Sequence, residues 1–523
     1  MNAWRIVSVI SLAVLLLIGC RSTGNRASPE LAAQQDEDYD SIEGLWVSTD
    51  ETSWHSGPDT ARFVLHFRRD AQGTLGAQGC TARNGDYHMS WKLAEVQYDE
   101  PTRRITILDA DGHTLIGFVD DTHGMIDGSV HLQDGHVNPL SFVRFDDDRL
   151  AARLFYPRLP DDDGNLTYTY RQPDQLDDGL TTSAFPDADA RAALSRVIER
   201  VIDQEYGHIE SLLVLQDGEL VVEEYFFQYD REQPHRINSC TKSVASLLLG
   251  IALANHPDVD VGQPVISFFP EYEALQTPET EAMTLGHALT MTAGFAADED
   301  SEEVDDWVRS LLSRPLQAKP GSTFYYDNGC TNLICGVIQR LERKAVHHYA
   351  EEFLFAPLGI TAYRWEIHDN GMAECASGLE LRPRDMAKIG LLVLNDGMWQ
   401  GRQIVPAEWI RLSTRPHVVE SEYYDYGYQW WYRSNDKKPW WKERSVQVSK
   451  EPDLFTAMGA GGQFITVIRE RNMVVVTTAS DYGEHDDWLS KIPMIVERIV
   501  VIVDKVPSGQ YLALQIGMDK KGA

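Results

Sequence analysis

Hydrophobic and polar residues alternate along the first third of the chain. Beyond residue 42, short stretches with a period of two are separated by Gly, Asp and Asn turns, and the clearest of them are RFVLHFRR, RITILDA, TLIGFVDD, GSVHLQD and LSFVRFDD. A period of two places apolar side chains on one face of a strand, and short strands of regular spacing are typical of antiparallel sheets. The pattern predicts a small all-β barrel or sandwich over residues 42–150.

The hydrophobic pattern changes beyond residue 151. The stretch ADARAALSRVIERVIDQEY has a helical period, and IESLLVLQDGELVVEEYFF predicts a hairpin with its turn at Gln216, Asp217 and Gly218. An apolar helix then begins within RINSCTKSVASLLLGIALA and mostly helical segments follow, until the pattern closes with GAGGQFITVI, NMVVVTTAS and DDWLSKIPMIVERIVVIV. This order predicts an α+β domain over residues 151–523, with an antiparallel sheet covered by terminal helices and a helical subdomain.

The N-terminal residues predict an export signal. One arginine precedes an apolar run over residues 6–18, which is shorter than the roughly 20 residues of a membrane-spanning helix, so residues 1–19 are predicted to be a signal peptide. The run ends in LIGC, which resembles the lipobox of bacterial lipoproteins and implies lipid attachment to Cys20. An ordinary signal peptide or an uncleaved anchor is the alternative.

The residues after Cys20 refine the expected location. Arg21 and Ser22 follow the cysteine instead of an aspartate, which in such lipoproteins favours an outer-membrane anchor, so the chain is expected to face the periplasm or the cell surface. Residues 20–41 are polar and acidic without an apolar period, and we predict that they form a tether.

Charge and cysteine content limit the possible partners and crosslinks. The chain has 80 acidic and 47 basic residues and a formal net charge of −33, so phosphate backbones would repel it and nucleic acid is not an expected partner. Six cysteines are present, of which five follow Cys20. An odd number excludes a closed disulfide framework but permits one or two bridges, whose pairing the sequence leaves open.

The apolar helix beyond residue 236 carries the first candidate chemistry. Ser239 and Lys242 are three residues apart and share a helix face, so a neutral lysine could deprotonate the serine hydroxyl. Keeping an ordinary lysine neutral at pH 7 costs about 4.6 kcal/mol, and an apolar surrounding together with a helix N-terminus would lower its pKa. Chance is the alternative, because Ser434 and Lys437 repeat the spacing within a charged stretch where lysine would stay protonated.

Two further motifs follow in the same domain. In KPGSTFYYDNGC, the phenol of Tyr326 could pass a proton to a leaving group, and the carboxamide of Asn328 could orient a substrate. In MGAGGQFITV, glycines open a strand whose N–H could face an oxyanion. Packing, helix capping and a tight turn or bulge are the structural alternatives for these residues.

In this order the three motifs resemble the penicillin-recognising serine hydrolases, which include class C β-lactamases, D-alanyl-D-alanine peptidases, and related esterases and amidases. The resemblance extends over about residues 211–476, includes flanking stretches such as TLGHALTMTAGF and YGYQWW, and is greatest to the branch containing 6-aminohexanoate-dimer hydrolase. It implies a β-lactamase/transpeptidase-like fold. It also implies that Ser239 is the nucleophile, Lys242 the general base, Tyr326 the proton shuttle and Asn328 a substrate contact, with the oxyanion hole formed by the N–H groups of Ser239 and Gln463 next to Gly461 and Gly462.

The resemblance implies a serine hydrolase that acts through an acyl-enzyme on a small-molecule ester, amide or peptide-like substrate. Ala460 stands where the family usually has a basic residue that binds the substrate carboxylate, which weakens the alternative of a β-lactamase or D-alanyl-D-alanine carboxypeptidase. An inactive envelope binding or scaffold protein is a second alternative. The sequence contains no His-Glu-x-x-His, Walker or Gly-x-Gly-x-x-Gly motif, so neither a metal nor a cofactor is expected.

Overall fold

The computed structural model describes most of the chain between residues 41 and 503. The described residues are 41–49, 62–69, 74–83, 87–91, 93–109, 112–120, 124–145, 155, 157–158, 168–185, 188–296, 307–368, 371–437, 453–482 and 488–503. The predicted signal peptide, Cys20 and the tether up to residue 40 lie outside them. Contacts divide the chain into two compact units, one formed by residues 1–166 with 480–485 and the other by 167–479 with 486–523. Residues 146–154 are not described, so the predicted boundary at 150/151 stays a prediction.

The described residues of the first unit form ten antiparallel strands. They are β1 (Gly44–Ser48), β2 (Arg62–Arg69), β3 (Leu75–Arg83), β4 (Tyr87–Trp91), β5 (Leu93–Asp99), β6 (Arg104–Asp109), β7 (Thr114–Asp120), β8 (Met125–His131), β9 (Val137–Pro139) and β10 (Phe142–Phe145). Their order is β4-β3-β2-β1-β10-β8-β7-β6-β5, with β9 paired to β8. The sheet curls into a near-barrel, since β3 also contacts β5 and β1 pairs with β10.

The core of this sheet follows from the alternation in the sequence. Along β6, Ile105 and Ile107 are fully buried and Thr106 between them is more exposed, as a period of two requires. Trp46 on β1 is also buried, and its indole N–H donates to the carbonyl of Ile42 at 2.9 Å. The predicted small all-β domain is confirmed.

The second unit combines a large sheet with ten helices in the described part of the chain. Its strands are β11 (Thr181–Thr182), β12 (Ile209–Gln216), β13 (Glu219–Tyr225), β14 (His235–Arg236), β15 (Tyr363–Trp365), β16 (Leu379–Leu381), β17 (Met398–Trp399), β18 (Arg402–Gln403), β19 (Val418–Val419), β20 (Asp425–Tyr426), β21 (Trp431–Arg433), β22 (Leu454–Gly459), β23 (Gln463–Ile468) and β24 (Met473–Ala479). Its helices are α1 (Ala188–Ile202), α2 (Cys240–Asn255), α3 (Pro278–Ala282), α4 (Leu285–Leu289), α5 (Trp307–Ser313), α6 (Asn328–Glu342), α7 (Val346–Ala350), α8 (Pro383–Leu394), α9 (Ala407–Ser413) and α10 (Trp488–Val503). Three 3₁₀ turns, Val265–Phe268, Pro270–Leu275 and Arg469–Arg471, and one π turn, Glu351–Phe355, complete its described elements.

The main sheet of the second unit has the order β11-β13-β12-β24-β23-β22-β21-β20-β19. All its pairs are antiparallel except β11 with β13. The predicted hairpin joins β12 and β13 through Asp217 and Gly218, which both have positive φ, as a two-residue hairpin turn requires.

Helices cover both faces of this sheet. In β12, Leu213 and Leu215 face the core that contains α2 and α8, while Leu212 and Val214 face the core that contains α1 and α10. Burial on both faces explains why residues 212–215 of this strand are continuously apolar instead of alternating. The predicted α+β fold, with an antiparallel sheet flanked by helices, is confirmed.

Helix α2 lies at the centre of the second unit. Nearly all of its residues are buried, and a Cβ atom added at Gly250 would lie 2.1 Å from the indole ring of Trp409. That close approach explains the glycine in an otherwise bulky helix. Among the described residues, no helix is long and apolar enough to cross a membrane.

Candidate active site

A sharp turn places Ser239 at the start of α2. The preceding residue, Asn238, has a φ of 47°, a left-handed conformation that asparagine tolerates better than most residues. Its side-chain amide donates to the carbonyl of Ala460 at 2.8 Å, which fixes the turn against the β22–β23 hairpin. Ser239 itself already has helical angles, so its hydroxyl and the side chain of Lys242 lie on the same face of the first turn.

The amine of Lys242 is buried beside this hydroxyl. Its Nζ lies 3.0 Å from Ser239 Oγ and donates to the carbonyl of Ala376 at 2.9 Å, and the residue is 1% exposed. Burial lowers the lysine pKa from 10.5 to about 7, while the negative charge of Glu374 acts in the opposite direction. Near neutral pH a large fraction of the amine is therefore uncharged and can accept the serine proton.

The phenol of Tyr326 completes the group. It makes a hydrogen bond with Ser239, and burial raises the pKa of the phenol well above its usual value. Lys242 Nζ lies 4.8 Å from the centroid of the Tyr326 ring. The structure therefore brings the three predicted catalytic residues together although more than 80 residues separate the first two from the third.

A buried ion pair holds the backbone beside this tyrosine. Asp327 caps α6 by accepting a hydrogen bond from the backbone N–H of Gly329 at 2.7 Å. The same carboxylate binds Arg314, with distances of 2.8 and 3.1 Å to the two terminal nitrogens. Asn328 is the exposed first residue of α6 and is adjacent to this cap, at the same end of the helix as Tyr326.

Aromatic side chains that the sequence analysis did not assign to the site surround Tyr326. Trp431 stacks on the phenol ring with centroids 5.7 Å apart, and Tyr426 contacts it edge-on at 6.3 Å. Both come from the half of the main sheet that ends in β19: Trp431 lies on β21 and Tyr426 on β20. The stretch YGYQWW begins at Tyr426 and ends at Trp431, and it carried the only available signal, as part of the family resemblance.

The glycine-rich hairpin lies against the turn that carries Ser239. A Cβ atom added at Gly459 would lie 2.2 Å from the carbonyl of Ile237, so only glycine permits this approach. Gly461 and Gly462 form the tight turn with φ of 80° and 102°. Both are buried, whereas the neighbouring Ala460 is exposed.

Gln463 begins β23 and is 2% exposed. Its side chain reaches the backbone of Ala479 on β24, and its carbonyl accepts a hydrogen bond from Cys240 Sγ at 3.2 Å. The side chain therefore stabilises the sheet, and only the backbone N–H is a candidate for contact with an oxyanion. That role stays a prediction.

The second Ser-x-x-Lys sequence has different surroundings. Lys437 Nζ binds the carboxylate of Asp425 at 2.7 Å and the carbonyl of Ser421 at 2.9 Å, and Ser434 Oγ binds the carboxylate of Asp436. The amine of Lys437 therefore binds a carboxylate, whereas the amine of Lys242 binds the hydroxyl of Ser239.

One disulfide bond lies in the described part of the chain. A disulfide joins Cys335 in α6 to Cys375, and Cys80, Cys240 and Cys330 are free and buried. In the described part of the chain, no group of three or more His, Cys, Asp and Glu side chains is arranged to hold a metal ion.

Comparison with known proteins identifies the family. The Beta-lactamase family profile matches residues 198–497, more than half of the chain. The chain therefore belongs to the beta-lactamase family, whose members are generally serine hydrolases, and the resemblance to penicillin-recognising serine hydrolases is confirmed.

Individual relatives are distant. Protein flp of Staphylococcus aureus strain N315 is 23% identical over 212 residues, which are 37% of this chain and 42% of that protein. The 6-aminohexanoate-dimer hydrolase of Paenarthrobacter ureafaciens is 21% identical over 259 residues, which are 44% of this chain and 65% of that protein. Either match spans less than two thirds of the relative's length.

Proposed function

We propose that this protein is a serine hydrolase that cleaves esters or amides through an acyl-enzyme on Ser239. The observation that carries the proposal is the contact between Ser239 Oγ and a buried lysine amine, 3.0 Å away, whose pKa is lowered to about 7. A serine is a poor nucleophile unless a neighbouring base accepts its proton, and this amine has both the position and the affinity for that task.

The reaction would follow the geometry of the three side chains. Lys242 accepts the proton from Ser239 as Oγ attacks the substrate carbonyl, and the backbone N–H groups of Ser239 and Gln463 stabilise the oxyanion. The leaving group departs with a proton delivered through Tyr326, whose phenol stays protonated because burial raises its pKa. Water then attacks the acyl-enzyme, loses its proton to the same base and releases the acid.

The surroundings favour a substrate without an obligatory carboxylate. The exposed residue of the glycine-rich turn is Ala460, which offers no positive charge, and the phenol is flanked by the aromatic rings of Trp431 and Tyr426. Neutral small-molecule esters or amides fit these surroundings better than β-lactams or D-alanyl-D-alanine peptides do. We further propose that Cys20 carries a lipid that anchors the protein to the outer membrane, facing the periplasm or the cell surface.

Covalent labelling tests the proposal. Intact protein is incubated with a fluorophosphonate, and mass spectrometry measures the adduct and locates it in peptides. We expect one adduct on Ser239, none in Ser239→Ala, and an unchanged adduct in the matched control Ser434→Ala. Folded wild-type protein that acquires no adduct, or one on another serine, would refute the hydrolase.

A substrate panel separates the alternatives. Esters, amides and the chromogenic β-lactam nitrocefin are compared by turnover and by acyl mass on Ser239. Ester or amide turnover without nitrocefin hydrolysis supports the proposal. Faster nitrocefin hydrolysis assigns the protein to the β-lactamase alternative, and an envelope scaffold would turn over none of the panel.

A further inference from the structure

Besides Ser239, Lys242 contacts the backbone carbonyl of Ala376, and the residues around this carbonyl have no role in the proposed reaction. Its Nζ donates to the carbonyl of Ala376 at 2.9 Å, and the N–H of the same alanine donates to Glu374 Oε1 at 2.9 Å. The lysine and the carboxylate are thus bound to the carbonyl and the N–H of one residue. We propose that Glu374 is a positioning residue that fixes the amine of Lys242 through Ala376 and whose negative charge acts on that amine. This inference rests on the proposed function.

Glu374 is itself fixed from several sides. Its second carboxylate oxygen lies 3.0 Å from His368 Nε2. Its backbone N–H donates to the carbonyl of Glu366, and its carbonyl accepts from the indole of Trp365 and the N–H of Gly378, all at 2.9 to 3.0 Å. With its side chain 15% exposed, the carboxylate has little freedom to move away from Ala376.

The disulfide provides an independent constraint on the same segment. Cys375 lies between Glu374 and Ala376 and is bonded to Cys335 in α6. Tyr326 lies just before the N-terminus of that helix. The carbonyl that holds the lysine is therefore linked covalently to the helix that positions the phenol, which is the arrangement expected of a segment that orients catalytic groups.

The charges that face the lysine identify Glu374 as the main opposing influence on its pKa. The titratable groups near the amine are Glu374, Cys240, Asp327, Cys330 and the phenol of Tyr326. Burial raises the pKa of both thiols and of the phenol, which are therefore neutral at pH 7. Asp327 is already bound to an arginine. Glu374 is thus the carboxylate whose charge most directly counteracts the burial of the amine.

The variant Glu374→Gln tests this role because glutamine keeps an acceptor for the Ala376 N–H and removes the charge. The pKa of Lys242 is measured by NMR titration of lysines labelled with ¹³C at Cε, with Lys242→Arg to assign the signal. We expect the pKa to fall by about one unit in E374Q. Glu366→Gln removes a carboxylate that binds Arg236 instead of Ala376 and keeps the backbone contact with Glu374, so it should leave the pKa of Lys242 unchanged. An unchanged pKa in E374Q would overturn the proposal.

Labelling kinetics give the second readout. The acid limb of the fluorophosphonate rate should move to lower pH in E374Q by the same amount as the NMR pKa, with a lower plateau because the base is weaker. Glu374→Asp keeps the charge but withdraws it by one methylene, so we expect a pKa nearer the wild-type value and a slower reaction. A wild-type rate in E374D would overturn the positioning role, including where E374Q does not fold.

The two proposals fail in different ways. A lower Lys242 pKa in E374Q, together with a wild-type protein that no reagent labels, supports the role of Glu374 and refutes the hydrolase. Normal labelling of wild-type Ser239, together with an unchanged Lys242 pKa in E374Q, supports the hydrolase and refutes the role of Glu374.

Discussion

The buried lysine leads to a prediction about stability that does not depend on knowing the substrate. Folding lowers the pKa of Lys242 from 10.5 to about 7. Below pH 7 both the folded and the unfolded chain carry the proton. Folding then bears the full cost of the pKa change from 10.5 to about 7, which is about 5 kcal/mol. Between pH 7 and 10.5 the unfolded chain binds more protons, and stability therefore rises with pH. Above pH 10.5 the amine is uncharged in both states, so burying it no longer lowers the stability.

Replacing Lys242 with methionine removes this dependence. From pH 7 to 9.5 the lysine should contribute a gain of about 3 kcal/mol in the free energy of unfolding of the wild type, and Lys242→Met should lack that gain. The variant also leaves the Ala376 carbonyl without its lysine donor, which costs about 1–3 kcal/mol at every pH. The change in the free energy of unfolding between the two pH values, not its absolute value, is therefore diagnostic.

Urea unfolding of both proteins at the two pH values gives the measurement. Other groups that titrate in this range are common to both proteins, so their contributions cancel in the comparison. Parallel changes of stability in the wild type and in K242M would refute the claim that the amine is uncharged in the folded protein near pH 7.

Three further predictions concern the supports of the site. Asp327→Ala should lower the free energy of unfolding by about 3–5 kcal/mol because it removes the carboxylate partner of a buried arginine. Asp327→Asn should cost about 1 kcal/mol less because it keeps the helix cap, and equal losses in urea unfolding would contradict the cap. Replacing both Cys335 and Cys375 with alanine opens a 40-residue loop and should cost about 4 kcal/mol, and an unchanged thermal midpoint would argue against the crosslink. The labelling rate of Ser239 should rise with pH and level off above about 7, whereas a rate that falls over this range would exclude Lys242 as the base.

Local patterns were sufficient to predict most of the elements. Alternating apolar residues predicted the strands of the first unit, and the helical period predicted α1 and α2 as well as the spacing of Ser239 and Lys242. The stretch NLICGVIQRLERKAVHHYAEEFL was predicted only as mostly helical. In the structure α6 ends at Glu342, Arg343 takes a left-handed conformation and α7 begins at Val346. The local period does not reveal such a break.

Contacts distant in sequence explain what could not be predicted. Ala376 is 134 residues from Lys242, and no local pattern marks a backbone carbonyl as the partner of a lysine. Trp431 belongs to β21, which lies between β22 and β20 in the sheet, so its stacking on Tyr326 depends on strand order. The pairing of Cys335 with Cys375 likewise required the fold, since an odd number of cysteines leaves several pairings open.

The direct pairing of β1 with β10 has a consequence for the evolution of this chain. The polypeptide enters the first sheet along one of these strands and leaves along the other, and neighbouring strands lie about 4.8 Å apart. A domain whose two ends lie side by side can be inserted or deleted as one unit, because a short peptide is enough to join the flanking residues. The same adjacency permits circular permutation of the module, with β1 and β10 joined by a tight turn and new termini opened in the β5–β6 hairpin.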